Sequence, residues 1–119
     1  MSTIKIKLEG DKELQRMLKR CKNPDKIKMC VKSAGATMQQ TAQRNAPVVT
    51  GTLRRSIMLN ITNGGMQAEV QPTVHYGAYV ELGTRFMNAR PYLKPALDKA
   101  QGEFKALVEA AVMTEIGGG

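Results

Sequence analysis

The sequence predicts an α+β fold in which an antiparallel β-sheet carries a long N-terminal helical region and a C-terminal helix packed on it. Two observations support this prediction. Between Ile57 and Val70, apolar residues alternate with mostly polar ones on either side of Asn63-Gly64, a pattern typical of a β-hairpin. Before and after this hairpin, apolar residues recur at the three- and four-residue spacing of amphipathic helices.

The first predicted elements are a short strand and a helix. Ile4, Ile6 and Leu8 alternate with charged residues, which indicates a half-buried strand. Asp11 is a suitable N-cap for the helix that should follow. The apolar side of that helix consists of Leu14, Met17, Leu18 and Cys21.

A second, longer helix is predicted to begin at Asn23-Pro24-Asp25, since asparagine caps helices and proline fits their first position. It should end near Asn45, because Pro47 disfavours a helical conformation of the residue before it. Gly35 lies inside this helix, and the close approach of a neighbouring element would explain it. The apolar side comprises Ile27, Cys30, Val31, Ala34, Met38, Thr41 and Ala42.

The central segment predicts a short helical turn capped by Thr50, followed by the hairpin. A two-residue type I′ turn at Asn63-Gly64 fixes the register of the two strands. All the paired residues then share one face of the sheet. The predicted pairs are Ile57 with Val70, Leu59 with Ala68, and Ile61 with Met66.

The last third of the chain predicts a helical turn that ends at Gly83, a loop over 85–91, and a final helix that starts between Pro91 and Pro95. Residues 1–116 are expected to form one domain, and the three glycines at 117–119 a flexible tail. The apolar side of the final helix consists of Leu97, Ala100, Phe104, Leu107, Val108 and Ala111.

The positive charge lies in one half of the chain. The net charge is +8, and residues 1–60 hold thirteen Lys and Arg against four Asp and Glu, whereas residues 61–119 hold five against six. This asymmetry fits contact with nucleic acid, or a subunit that packs its basic side against an acidic side of the next copy. All five aromatic residues lie in the second half, which argues against base stacking by the basic half.

The basic residues on the two predicted N-terminal helices lie at positions typical of a solvent-exposed helix face. Sequence-independent contact with the phosphates of a nucleic acid is the other interpretation. These basic residues are the candidate residues for lining a DNA channel: Lys12, Arg16, Lys19, Arg20, Lys26, Lys28 and Lys32.

Residues that could support catalysis or bind a metal are few and scattered. His75 is the one histidine, and we expect a structural or surface role for it. Cys21 and Cys30 fall on the apolar sides of the predicted helices and are expected to be buried, reduced thiols. No phosphate-binding loop, nucleophile elbow or zinc-ligand spacing occurs, and no apolar run approaches the ~20 residues of a membrane span. We therefore expect neither enzymatic activity nor a cofactor.

Three sequence blocks, in this order, resemble the tail-component family of long-tailed bacteriophages and prophages, which are proteins of the head–tail joining region. The resemblance covers roughly residues 12–112. The first block runs from Ala46 to Ile57, the second from Tyr76 to Thr84, and the third from Met87 to Leu97.

The resemblance implies a non-enzymatic virion protein with a fold similar to tail-terminator and tail-completion proteins. Such subunits form a ring, expected to be six-fold, in the phage neck. The implied partners are a head-closure or connector protein and a tail-tube or tail-terminator protein of the same phage, with DNA in the channel as a further, non-specific contact. No membrane and no small-molecule substrate is expected, and assembly would take place in the host bacterial cytoplasm. The alternative is a sequence-independent nucleic-acid-binding protein that uses the basic N-terminal half.

The family motifs supply the candidate residues for subunit and partner contacts. Within them, we predict that Glu81 pairs with Arg54 or Arg55, within or between subunits; independent solvated charges are the other interpretation. We also predict that the loop over 85–90 becomes ordered against a neighbouring subunit. The full candidate set is Pro47, Thr50, Gly51, Leu53, Arg54, Arg55, Tyr76, Tyr79, Glu81, Gly83, Thr84, Arg85, Phe86, Met87, Arg90, Pro91 and Leu93.

Overall fold

The computed structural model describes residues 5–8, 16, 24–47 and 51–117. Its fold is α+β, as the sequence predicts. The expected helix over Asp11–Cys21, apart from Arg16, and the expected cap Thr50 lie outside the described residues. The elements in chain order are β1 (Ile6–Leu8), α1 (Pro24–Asn45), α2 (Thr52–Ser56), β2 (Ile57–Thr62), a 3-10 turn (Asn63–Gly65), β3 (Gln67–Pro72), α3 (Gly77–Leu82) and α4 (Lys94–Gly117).

The described strands form an antiparallel sheet in the order β1-β3-β2. α1 packs against β2 and β3, while α4 packs against α1 and β1. The core therefore lies between one layer of strands and one layer made by the two long helices. Its largest fully buried side chains include Tyr92, Met38, Ile57 and Leu93.

α1 confirms the helix predicted from Asn23-Pro24-Asp25. It begins at Pro24 and ends at Asn45, and every residue of the predicted apolar side is buried. Gly35 faces the sheet, where a Cβ atom would lie 3.0 Å from the Cβ of Ala68 and 3.2 Å from a methyl carbon of Leu59. The glycine thus permits the close approach of helix and sheet that the sequence suggested.

The hairpin exists, but its predicted register is wrong by two residues. Ile57 pairs with Pro72, Leu59 with Val70, and Ile61 with Ala68. The reason lies in the turn, where Gly64 and Gly65 both adopt positive φ angles and lengthen the loop to residues 63–66. A shift of two residues keeps every side chain on its predicted face, because side chains alternate along a strand. Of the six residues predicted to share one face, Ile57, Ala68 and Val70 are buried and Leu59 is half-buried, while Ile61 is 38% exposed and Met66 lies in the loop.

α4 begins at Lys94, within the predicted range, and its predicted apolar residues are buried or half-buried along α1. It extends to Gly117, the first glycine of the predicted tail, and the last two glycines lie outside the described residues. No helix in the part of the chain that the structure describes is long and apolar enough to cross a membrane.

Candidate partner-binding site

The short helix α3 presents one side to the core and the other to solvent. Gly77, Ala78 and Glu81 are buried, whereas Tyr79 and Leu82 are exposed. Gly83 ends the helix at a φ of +79°, as the sequence predicts, and its N–H donates to the carbonyl oxygen of Tyr79 at 2.7 Å. α3 is therefore a small amphipathic element fixed at the edge of the fold.

Tyr92 anchors the start of α3. Its hydroxyl donates a hydrogen bond to the carbonyl oxygen of Gly77 at 2.9 Å, and its side chain is fully buried. A Cβ at position 77 would lie 2.5 Å from the Cγ atom of Pro72 and 2.9 Å from the Tyr92 hydroxyl, so only glycine fits there. Burial raises the pKa of Tyr92 well above its ordinary value, and the charge of Glu81 and the phenol of Tyr76 act in the same direction. The hydroxyl therefore remains a neutral donor at physiological pH.

Glu81 anchors the end of α3 to the beginning of α4. Its side chain is 7% exposed, and one carboxylate oxygen accepts hydrogen bonds from the backbone N–H groups of Tyr92 at 3.1 Å and Leu93 at 2.5 Å. These donors immediately precede the first turn of α4, where the helix dipole favours a negative charge. The contact therefore holds the second sequence block against the third.

The loop from Gly83 to Arg90 is closed at its base by backbone hydrogen bonds. Thr84 and Met87 exchange two such bonds, at 2.9 and 3.2 Å, and the hydroxyl oxygen of Thr84 accepts from the N–H of Phe86. The N–H of Arg90 donates to the carbonyl oxygen of Val80 at 2.8 Å. The end of the loop is thus tied back to α3, while the residues between its ends are exposed. Whether it orders only against a neighbour stays a prediction.

Large apolar side chains are exposed along α3 and this loop, and together they form what we call the Phe86 face. Phe86 is 84% exposed, and the guanidinium carbon of Arg85 lies 4.6 Å from the centroid of its ring. Exposed apolar surface on an ordered element is typical of a protein-binding surface, and aromatic, methionine and arginine residues are enriched there. The face comprises Tyr76, Tyr79, Leu82, Phe86 and Met87, with exposures from 37% to 84%.

The first sequence block connects α1 to β2. The Nε–H of Arg54 donates to the carbonyl oxygen of Gln43 at 2.8 Å, and Leu53 is buried. Gly51, not Thr50, precedes α2, with a φ of +81°, and the guanidinium of Arg55 packs over it. Pro47 is half-buried at the end of α1. In the single chain, the partners of Arg54 and Glu81 are thus backbone groups and not each other.

The candidate motif residues divide by exposure. Leu53, Glu81 and Leu93 lie in the interior of the subunit. The exposed candidates are available to a partner: Arg55, Tyr76, Tyr79, Thr84, Arg85, Phe86, Met87, Arg90 and Pro91. Sequence reasoning missed exposed Leu82 and the anchoring pair Gly77 and Tyr92, although all three lie inside the quoted blocks.

The candidate DNA-channel residues are described in part. Lys28 and Lys32 are exposed on α1, Arg16 is exposed, and Lys26 is half-buried. Lys12, Lys19 and Arg20 lie outside the described residues. The five aromatic residues all lie elsewhere in the fold, so the described basic surface has no aromatic ring on which a base could stack.

The histidine and the cysteines are the remaining residues that the sequence singled out for possible chemistry. His75 is exposed and makes an edge contact with the ring of Tyr76, and Cys30 is buried, as expected. Cys21 lies outside the described residues. Among the described side chains, no group of three or more His, Cys, Asp or Glu could hold a metal ion.

An exposed apolar face on a hydrogen-bonded support defines a subunit suited to protein assembly. Comparison with known families agrees with that class. Residues 9–83 match the HK97-gp10-like family, described as "Bacteriophage HK97-gp10, putative tail-component". The match spans more than half of the chain, and the protein belongs to this family of phage tail components.

The matched range contains the first sequence block and the second as far as Gly83, so the third block lies beyond it. No curated protein and no solved structure matches the chain. The expected likeness to tail-terminator and tail-completion folds therefore stays a prediction.

Proposed function

We propose that this protein is a structural subunit of the phage neck, where it forms or joins a ring between the head connector and the tail tube. Membership in a tail-component family supports a structural role in the virion. The observation that carries the proposal is the Phe86 face, which leaves Phe86 84% exposed on a loop tied down at both ends.

The subunit contacts of such a ring would be made by the exposed motif residues. Large aromatic side chains and arginine contribute most strongly to binding when a partner buries them, and Phe86 with Arg85 offers both in one place. The proposed partners are further copies in a six-fold ring, a head-closure or connector protein, and a tail-tube or tail-terminator protein. Assembly would take place in the host bacterial cytoplasm.

The basic side of α1 is proposed to face either the DNA channel or an acidic surface of a neighbouring subunit. Lys28 and Lys32 are exposed on the same helix, and residues 1–60 carry the whole excess of positive charge. Either position would place these cations next to negative charge.

The proposal is tested by deleting the gene from the phage or prophage that encodes it and examining the particles by electron microscopy. We expect filled heads and separate or malformed tails, and we expect the wild-type gene to restore joined particles. Complementation with Phe86→Asp should fail. Met58→Asp is the matched control, because Met58 is an exposed apolar residue on β2, outside the Phe86 face, and is 49% accessible. Normal particles from the deletion strain would refute the proposal.

A further inference from the structure

A groove lies between the first half of α1 and the second half of α4. Its volume is about 320 Å³, and apart from Lys26 and Ser33 its walls are apolar. Met29 is 70% exposed at its edge. The remaining wall residues are Cys30, Leu107 and Ala111.

This α1–α4 groove and the Phe86 face lie toward opposite ends of α4. Glu81 fixes the Phe86 face to Leu93, one residue before the helix begins, whereas Leu107 lines the groove fourteen residues later. At 1.5 Å per residue, the two points are about 21 Å apart along the helix. One subunit therefore cannot bring its own Phe86 face into its own groove.

Resting on the proposed function, we infer that the Phe86 face of one copy of this chain docks into the α1–α4 groove of the next copy. Two different surfaces on one subunit produce a head-to-tail contact, which closes into a ring when the rotation between subunits allows it. An apolar cavity of about 150 Å³ is large enough to bind benzene. A groove of about 320 Å³ therefore has room for the ring of Phe86 together with Met87.

The charged residues beside the two surfaces favour one orientation of the two docked subunits. Arg85 accompanies the ring of Phe86, and Glu103 lies one helical turn before Leu107, on the same side of α4. Lys26 lies at the α1 wall of the groove. Docking that turns Arg85 toward Glu103 and away from Lys26 joins opposite charges and separates like charges.

The experiment uses two variants that each lose one of the two surfaces. Phe86→Asp removes the inserting side chain, and Met29→Asp places a charge at the groove edge; both positions are largely exposed, so both variants should fold. Each variant alone should self-associate about tenfold to hundredfold more weakly than wild type in sedimentation velocity. An equal mixture should recover a dimer and nothing larger, because one intact face and one intact groove remain per pair.

Met58→Asp serves as the control and should assemble like wild type. Three results would overturn the inference: a wild-type chain that stays monomeric at its highest soluble concentration, variants that associate normally, or a mixture that forms no dimer. A monomeric chain that is still needed for joined particles would leave the proposed function standing and assign the Phe86 face to a different neck protein. Normal particles without the gene would instead remove the proposed function itself.

Discussion

Removal of the Glu81 carboxylate should destabilise the fold more than the loss of any exposed acid. The carboxylate is 7% exposed and accepts two backbone hydrogen bonds at the start of α4. A hydrogen bond to a charged group contributes about 1.5–3 kcal/mol, and buried donors that lose their acceptor add a desolvation cost. We therefore expect Glu81→Ala to lower the free energy of unfolding by about 3–5 kcal/mol.

Two further variants separate the charge from the hydrogen bonds. Glu81→Gln keeps an acceptor oxygen at the same place and should lose about 1–2 kcal/mol. Glu109→Ala, which alters an exposed acid on α4, should stay within about 0.5 kcal/mol of wild type. Urea denaturation followed by circular dichroism gives these differences, and amide hydrogen exchange should show faster opening at Tyr92 and Leu93 in Glu81→Ala. If Glu81→Ala proves as stable as Glu109→Ala, the reasoning is refuted.

Variants of Glu81 also distinguish an ion pair between subunits from hydrogen bonds within one subunit. If Glu81 paired with an arginine of another subunit, Glu81→Lys would impair assembly, and Arg54→Glu or Arg55→Glu would partly restore it. The structure instead engages Glu81 and Arg54 with backbone groups of their own subunit, while Arg55 packs over Gly51. We therefore expect the double variant with Arg54→Glu to be less stable than either single variant and to show no rescue. Recovery of assembly in the double variant would re-establish the pairing between subunits.

Gly77→Ala and Tyr92→Phe test the support of the Phe86 face, and Gly102→Ala and Arg54→Ala test positions on α4 and at the end of α1. Gly77→Ala should destabilise the protein by about 1–3 kcal/mol, because the added methyl group collides with Pro72. Gly102 lies in open space on α4, so Gly102→Ala should stabilise the protein by up to about 1 kcal/mol. Thermal unfolding measures both changes. Tyr92→Phe should cost about 1–2 kcal/mol by leaving the Gly77 carbonyl without its donor. Because the pKa of Tyr92 is raised, the folded state keeps the phenol proton above pH ~10, whereas the unfolded chain releases it. The free energy of unfolding of the wild type should therefore fall as the pH rises above ~10. In Tyr92→Phe, which has no phenol proton, this fall should be smaller. Equal pH profiles for the two proteins would contradict this. Arg54→Ala should lower stability by about 1–2 kcal/mol in urea, and an unchanged midpoint would exclude a role for its bond to the end of α1.

Local patterns predicted those parts of the fold that local physics determines. The proline at the start of α1, its apolar side and its end before Pro47 are encoded within a few residues of one another. The hairpin register was wrong because Gly65, next to the expected turn, also accepts a positive φ, and local sequence does not decide between a two-residue and a four-residue loop. Gly35 could be connected to a close approach, although its partners, Ala68 and Leu59, depend on tertiary packing.

The role of the exposed motif residues in binding a partner stays a prediction, and the buried contacts beneath them could not be predicted from the sequence. Nothing in the sequence near Glu81 shows that its acceptor oxygen meets the amides of residues 92 and 93, because the loop that brings them together is itself defined by Thr84 and Met87. An acid among arginines and tyrosines suggested an ion pair, the commoner arrangement on a surface. Because the Glu81 carboxylate is buried, it needs hydrogen-bond donors close by, and the backbone N–H groups at the start of α4 supply them in place of an arginine.

The sequence blocks therefore have two different physical tasks. Glu81 and Tyr92 connect the second block to the third inside the subunit, and this connection, with the backbone bonds of the loop itself, holds the loop on which Phe86 is exposed. The family match ends at Gly83, yet the carboxylate at position 81 has its partners beyond that point. The buried role of Glu81 in the second block therefore depends on backbone groups of the third block. A family member without a carboxylate at the position of Glu81 should thus carry another acceptor for the start of its last helix, or hold that loop in a different way.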